Sequence, residues 1–135
     1  MSTAVFPGSF DPVTTGHVDL ICRASRMFDR LVVGVLVNSA KDPLFSQEER
    51  VAMLQEIVKD QDNITVCSFE GLLVDFVRQQ KADAIIRGLR SSGDFEYELP
   101  LAQANYKMNQ NADTVFLATA PEYSYISSSA VRELL

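Results

Sequence analysis

Short apolar runs alternate along this chain with longer segments whose apolar residues recur every three or four positions. The runs fall at residues 3–7, 31–37, 64–69, 82–87 and 114–119, and the first and last are bounded by Pro, Gly or polar residues. Near-continuous apolar strands of this kind suit a parallel sheet covered on both faces. Between them, residues 17–28 place Val18, Ile21, Cys22, Ser25 and Phe28 along one helical stripe. Ser46-Gln47-Glu48-Glu49 reads as a capping box, in which the Ser side chain caps the helix and Glu49 reaches back. The helix it opens presents Val51, Leu54, Ile57 and Val58 inward. Residues 71–80 and 95–108 predict a third and a fourth helix, and 127–135 begin a fifth. The order βαβαβαβαβα predicts an α/β chain. It is expected to form a single Rossmann-like doubly wound domain over residues 1–135, with a five-stranded parallel sheet and helices on both faces.

In sheets of this type, ligands bind outside the carboxyl ends of the strands. The segments that follow the strands are residues 8–16, 38–45, 71–73, 88–93 and 120–127, and the unusual residues cluster there.

Composition narrows the function more than the fold. A 135-residue chain with 47% apolar and 22% charged residues is long enough to bury a core as one domain. No apolar run approaches the ~20 residues that span a bilayer, and no basic start marks a secretion signal. Cys22 and Cys67 lie far apart in apolar stretches, without metal-ligand spacing, and read as buried thiols of a cytoplasmic protein. A net charge of −6 with no basic stripe argues against nucleic acid as a partner. It leaves room for a small phosphorylated ligand held by a few convergent cations.

The chemistry concentrates in two places. After the first strand comes Phe6-Pro7-Gly8-Ser9-Phe10-Asp11-Pro12-Val13-Thr14-Thr15-Gly16-His17, where two prolines and two glycines pin a tight loop before a helix. His17, the chain's one histidine, stands in the first helical turn, where free N–H groups and the helix dipole favour an anion. Neither GxxxxGK[ST] nor GxGxxG occurs. Near the other end, Ile126-Ser127-Ser128-Ser129-Ala130-Val131-Arg132 offers hydroxyls and N–H groups at a helix start, a second phosphate cradle. Arg87 and Arg90 flank Gly88 at the end of a strand, an arrangement that suits two phosphate groups better than a surface salt bridge.

Thr14-Thr15-Gly16-His17 resembles the T/HxGH signature of the nucleotidyltransferase α/β superfamily, and Ile126–Arg132 resembles its ISxSxxR partner. The middle of the chain narrows the likeness. Pro7-Gly8-Ser9-Phe10-Asp11-Pro12, Lys41 with Pro43 and Phe45, Ser46-x-x-Glu49-Arg50, Arg87-Gly88-Leu89-Arg90 and Asp94-Phe95-Glu96-Tyr97-Glu98 are all similar to the phosphopantetheine adenylyltransferase family. Ser9 stands where that family often has Thr. The chain ends at Leu135, inside the last predicted helix, where family members usually continue, so a truncated C-terminal helix is expected.

The resemblance implies transfer of AMP from ATP to 4′-phosphopantetheine, giving dephospho-coenzyme A and pyrophosphate. The attacking phosphate monoester is already a dianion near neutral pH and needs no general base. It needs alignment and charge cancellation at the α-phosphorus. By the same resemblance, His17 and Lys41 are catalytic, and Ser9, Lys41, Leu73 and Arg87 hold phosphopantetheine. Ser9, Phe10, His17, Gly88, Leu89, Arg90, Glu98, Tyr123, Ser124, Tyr125, Ile126, Ser127, Ser128 and Ser129 hold ATP. No protein metal ligand is expected; Mg²⁺ rides on the ATP phosphates. The family resemblance also implies a homohexamer, and the apolar residues spread around the helix at 95–108 suggest a subunit interface. A sister nucleotidyltransferase with another acceptor and a non-catalytic nucleotide-binding module are the alternatives.

Overall fold

A computed structural model describes residues 1–37 and 42–123. The elements run β1 (Thr3–Gly8), α1 (Thr15–Met27), β2 (Arg30–Leu36), α2 (Gln47–Ile57), β3 (Ile64–Phe69), α3 (Leu73–Gln79), β4 (Ala84–Leu89), α4 (Ser92–Met108) and β5 (Asp113–Ala118). A 3-10 turn, Pro121–Tyr123, follows. The fifth predicted helix, 127–135, lies outside the described residues.

All five strands are parallel, in the order β3-β2-β1-β4-β5. Buried side chains alternate strictly along them, as the pleat requires. Ala4, Phe6, Leu31, Val33, Val35 and Ile86 meet Leu20, Ile21 and Ala24 of α1 and Leu54 of α2 on one face. Val5, Val32 and Ile85 meet Phe76 and Val77 of α3 on the other. Phe95 of α4 packs edge-on against Phe116 of β5 with ring centroids 5.8 Å apart, which puts α4 on the α3 side. The predicted fold, a five-stranded parallel sheet with helices on both faces, is the one observed.

The sheet is doubly wound about β1. The chain steps outward through β2 to β3, then crosses back so that β4 lies on the other side of β1. The β1–β2, β2–β3 and β4–β5 pairs each run through six residues. β1 and β4 pair at Ala4–Ala84 and Val5–Ile85 alone, then part. Their carboxyl halves therefore flank a crevice at the topological switch point, where this architecture binds ligands.

Local chemistry explains the helix boundaries. Ser46 and Glu49 form the predicted capping box, Glu49 N donating to Ser46 Oγ at 3.1 Å and Ser46 N to Glu49 Oε1 at 2.9 Å. α4 starts three residues before the predicted position because Ser91 caps it, accepting from Asp94 N at 3.3 Å. It runs through Pro100, whose missing N–H removes one i→i−4 bond. Gly88 sits under α1: a Cβ there would lie 2.5 Å from Leu20 Cδ1, so its absence lets helix and strand approach.

Two expectations need correction. Ile57 is 43% exposed, not inward, because α2 touches the sheet along a narrow stripe of Val51, Leu54 and Val58. Cys22 and Cys67 are free thiols as expected, but half-buried, not enclosed. Desolvation nevertheless holds the Cys67 thiol above its ordinary pKa.

Candidate active site

The crevice between β1 and β4 opens into a cavity of about 270 Å³. Its floor is Phe6, Pro7 and Gly8 from β1 with Arg87 and Gly88 from β4. Ser9, Phe10 and Thr14 come from the loop after β1, Gly16, His17 and Leu20 from α1, and Thr119 and Tyr123 close the far side.

His17 is placed by its own helix. It is the third residue of α1, and with Thr14 it forms a capping box in which the imidazole takes the role usually played by Glu. Thr14 N donates to His17 Nδ1 at 3.0 Å, and His17 N donates to Thr14 Oγ1 at 3.3 Å. A backbone N–H pointing at Nδ1 makes that nitrogen the acceptor, so in the neutral ring the proton sits on Nε2. Burial lowers the pKa of His17 to about 4, and the positive charges of Arg87 and Arg90 act in the same direction. At neutral pH the site therefore presents a neutral imidazole whose remaining hydrogen-bonding group is a donor.

Arg87 forms the wall between this cavity and a second one. Its Nε and Nη2 fork onto Glu98 Oε1 and Oε2 of α4, at 2.5 and 3.1 Å, and its Nη1 donates to Pro7 O at 3.2 Å across the gap between the strands. Glu98 is 7% exposed, so this is a pair largely withdrawn from water. Of the five guanidinium N–H groups, Glu98 takes two and Pro7 one, which leaves two to meet an anion. The second cavity, about 320 Å³, is walled by Leu72, Leu73, Val74, Leu101, Ala102 and Met108, with Arg87, Glu98, Asn105 and Thr114 as polar groups.

The expected residues fall into four groups. Ser9, Phe10, His17, Arg87, Gly88 and Tyr123 all line the first cavity. Leu73 and Glu98 line the second, joined to the first through Arg87. Leu89 ends β4 beyond the lining, and Arg90 turns its guanidinium onto Asp94, with Nε at 3.0 Å and Nη2 at 3.2 Å from the carboxylate. Those bonds hold Asp94 below the usual carboxylate range. Both arginines read from the sequence as phosphate ligands without an ion-pair partner, and both are paired in this structure. Lys41, Ser124, Tyr125, Ile126, Ser127, Ser128, Ser129 and Arg132 lie outside the described residues.

The structure adds residues that sequence reasoning left without a role. Arg50 is 4% exposed and donates to Ser9 O at 2.8 Å and Gln47 Oε1 at 2.7 Å, with a longer contact to Leu36 O at 3.4 Å. Asp11 accepts from the N–H groups of Leu44 and Phe45, at 2.8 and 2.9 Å. Together they fasten the loop carrying Ser9 to the end of β2 and the start of α2. A buried Arg is hard to foresee when its partners are carbonyls, which every residue has.

Residues 5–134 match the family described as Cytidylyltransferase-like. The chain is 54% identical to the phosphopantetheine adenylyltransferase of Lachnoclostridium phytofermentans over 99% of its own length and 82% of that protein's. It is 52% identical to the one from Caldanaerobacter subterraneus subsp. tengcongensis, over 99% and 84%. Among solved structures, a putative nicotinate-nucleotide adenylyltransferase from Vibrio parahaemolyticus superposes with a TM-score of 0.70 at 15% identity, covering 100% of this chain and 87% of that one. A lipopolysaccharide core biosynthesis protein from Thermoplasma volcanium gives 0.67 at 23% identity, covering 89% and 98%. The structural likeness fixes the fold, and the sequence identity fixes the kinship: the chain belongs to the phosphopantetheine adenylyltransferase family of nucleotidyltransferases.

Proposed function

We propose that this enzyme transfers AMP from ATP to 4′-phosphopantetheine by direct in-line attack, with no covalent enzyme intermediate. A phosphate oxygen of the acceptor forms a bond to the α-phosphorus while the bond from that phosphorus to the α,β-bridging oxygen breaks, and pyrophosphate leaves with that oxygen. The observation that carries this reading is the position of Arg87, shared by a polar cavity under His17 and an apolar groove lined by Leu73. A phosphate at the two Arg87 N–H groups not taken by Glu98 and Pro7, with the pantetheine arm in the groove, would face a nucleotide held by the first cavity.

In this scheme the Nε2–H of His17 meets the α-phosphate oxygen, and its bond strengthens as charge builds at phosphorus. Ser9 and Arg87 hold the acceptor phosphate, Leu73 the arm, and Lys41 bridges the two reacting phosphates. ATP is assigned to Ser9, the backbone of Phe10, Gly88, Leu89, Arg90, Glu98 and Tyr123, with residues 124–129 as further ATP-binding residues.

Mg²⁺ is proposed to arrive on the nucleotide. The described cavity offers hydroxyls, an imidazole and a guanidinium, a set suited to phosphate oxygens, and among the described residues no three His, Cys, Asp or Glu side chains converge. The ion would then be ligated by phosphate oxygens and water, and would neutralise charge on the leaving pyrophosphate.

A homohexamer in the cytoplasm is also proposed. Phe95, Tyr97, Leu101, Tyr106 and Met108 are exposed along α4, a large apolar area for a free surface. Among the described residues no helix is long and apolar enough to cross a membrane. Pyrophosphate release measured against a panel of phosphorylated acceptors tests the function. Turnover is expected with 4′-phosphopantetheine; turnover with nicotinamide mononucleotide or glycerol phosphate instead would overturn the acceptor, and ATP binding without turnover would overturn catalysis.

A further inference from the structure

Phe10 carries a combination of features that binding a nucleotide does not require. Its backbone is left-handed, with φ of 49°, a conformation that a bulky non-glycine residue adopts at a cost. The residue is 2% exposed, so little of its ring is available to a ligand. That ring stands edge-on to the His17 imidazole, with centroids 5.0 Å apart and planes at 76°. Gly8 makes the room: a Cβ there would lie 3.1 Å from both Cε2 and Cζ of the Phe10 ring. Phe6 supports it from behind, with ring centroids 5.8 Å apart.

We propose that the Phe10 side chain is a positioning residue for His17, the aromatic wall that fixes the plane of the imidazole so that Nε2–H is aimed into the cavity. Thr14 holds the ring at its Nδ1 edge, through its N–H at 3.0 Å and its Oγ1 at 3.3 Å, and neither contact bears on the face of the ring. The perpendicular phenyl restricts its tilt. A leucine of similar bulk would keep the core filled but has no rigid ring to set against the imidazole. The left-handed turn at Phe10 is what directs the ring back under α1 instead of outward along the loop. The same wall keeps water from the imidazole. Burial is the largest influence on His17, ahead of the charges of Arg87 and Arg90, and Phe10 supplies part of it.

The kinetic part of this proposal rests on adenylyl transfer being the reaction; the titration part does not. The chain contains one histidine, so its imidazole resonance can be followed by NMR without assignment. In Phe10→Leu the midpoint is expected to rise from about 4 toward the ordinary value by about one pH unit or more, as the ring loosens and hydrates. kcat should fall about tenfold or more, because small misplacements of a catalytic group are costly. KM for ATP should stay within about twofold of the parent value. A raised KM for ATP with an unmoved midpoint would make Phe10 a nucleotide contact and overturn the proposal. Lowered thermal stability with kcat and midpoint both unmoved would reduce it to core filling, and overturn it too. Phe10→Met, read in the same way, decides the matter if Phe10→Leu does not fold. Absence of turnover in the parent protein would refute the reaction, and the midpoint would still decide the role of Phe10.

Discussion

The backbone N–H of Thr14 donates to the Nδ1 of His17 at 3.0 Å, so the side chain that faces the cavity also closes the first turn of its own helix. One edge of the ring thus serves the fold, and the other is left to face the cavity. His17→Ala should lose both. Removing a donor to the α-phosphate should lower kcat by about 10²–10³ with ATP affinity nearly unchanged, checked by steady-state kinetics and calorimetry. Losing half of the capping box should cost about 1 kcal/mol, visible as a Tm lower by a few degrees. His17→Asn, whose amide oxygen can still accept from Thr14, should recover stability and not rate.

The low pKa of His17 makes stability depend on pH. Between its unfolded value near 6.5 and its folded value of about 4, the unfolded chain binds the extra proton. Stability from this group is complete above pH 6.5, falls as the pH drops, and is exhausted below about 4. By pH 5 the loss should reach about 2 kcal/mol relative to pH 7.5. Urea unfolding of the parent protein against His17→Asn, at both pH values, isolates it: the gap between the two proteins should shift by that amount.

Arg87 and Arg90 should separate by substrate and by stability. Arg87→Ala should raise KM for the acceptor, and it also strands Glu98 in a site with little water, at about 3 kcal/mol. The Arg87→Ala/Glu98→Gln double variant should regain most of that stability while its acceptor KM stays high. Arg90→Ala should raise KM for ATP, and because its pair with Asp94 is exposed, it should cost less than about 1 kcal/mol. Kinetics with each substrate varied, alongside chemical denaturation, checks all three.

The apolar side of α4 should be an interface. Tyr97, 70% exposed, and Leu101, 45% exposed, are candidates for its centre. Tyr97→Glu or Leu101→Glu should dissociate the assembly with little effect on folding, since neither side chain is buried within the chain. Light scattering at micromolar concentration is the measurement; a parent protein that is already a monomer would remove the proposed hexamer.

Much of this was legible before any coordinate. The strand runs are short but near-continuously apolar and rich in β-branched residues, and the Ser46–Glu49 box is local chemistry that tertiary contacts do not override. The exceptions have physical causes. Ile57 keeps helical spacing with its neighbours but falls outside the narrow stripe where α2 meets the sheet. The start of α4 was hidden because Arg90-Ser91-Ser92-Gly93 has the composition of a turn. The Arg90–Asp94 pair was open to a reading by i,i+4 spacing, yet Arg87–Glu98 spans a strand and a helix turn whose relative placement only the fold supplies. His17 was singled out from its position as the candidate catalytic residue, while its tautomer depended on a hydrogen bond no motif encodes.

The short seam between β1 and β4 gives the molecule a mechanical character. Two ribbons, β3-β2-β1 and β4-β5, are stitched at Ala4–Ala84 and Val5–Ile85, and no ladder pair joins them beyond. A rotation about so short a seam would be largest toward the carboxyl ends. His17 and Ser9 stand on the side of the first ribbon, Arg87 and Gly88 on that of the second. The bond from Arg87 to Pro7 O already crosses between them. A ligand held by His17 on one side and Arg87 on the other would add a second tie, so that alignment of the bound groups and stiffening of the sheet would become one event.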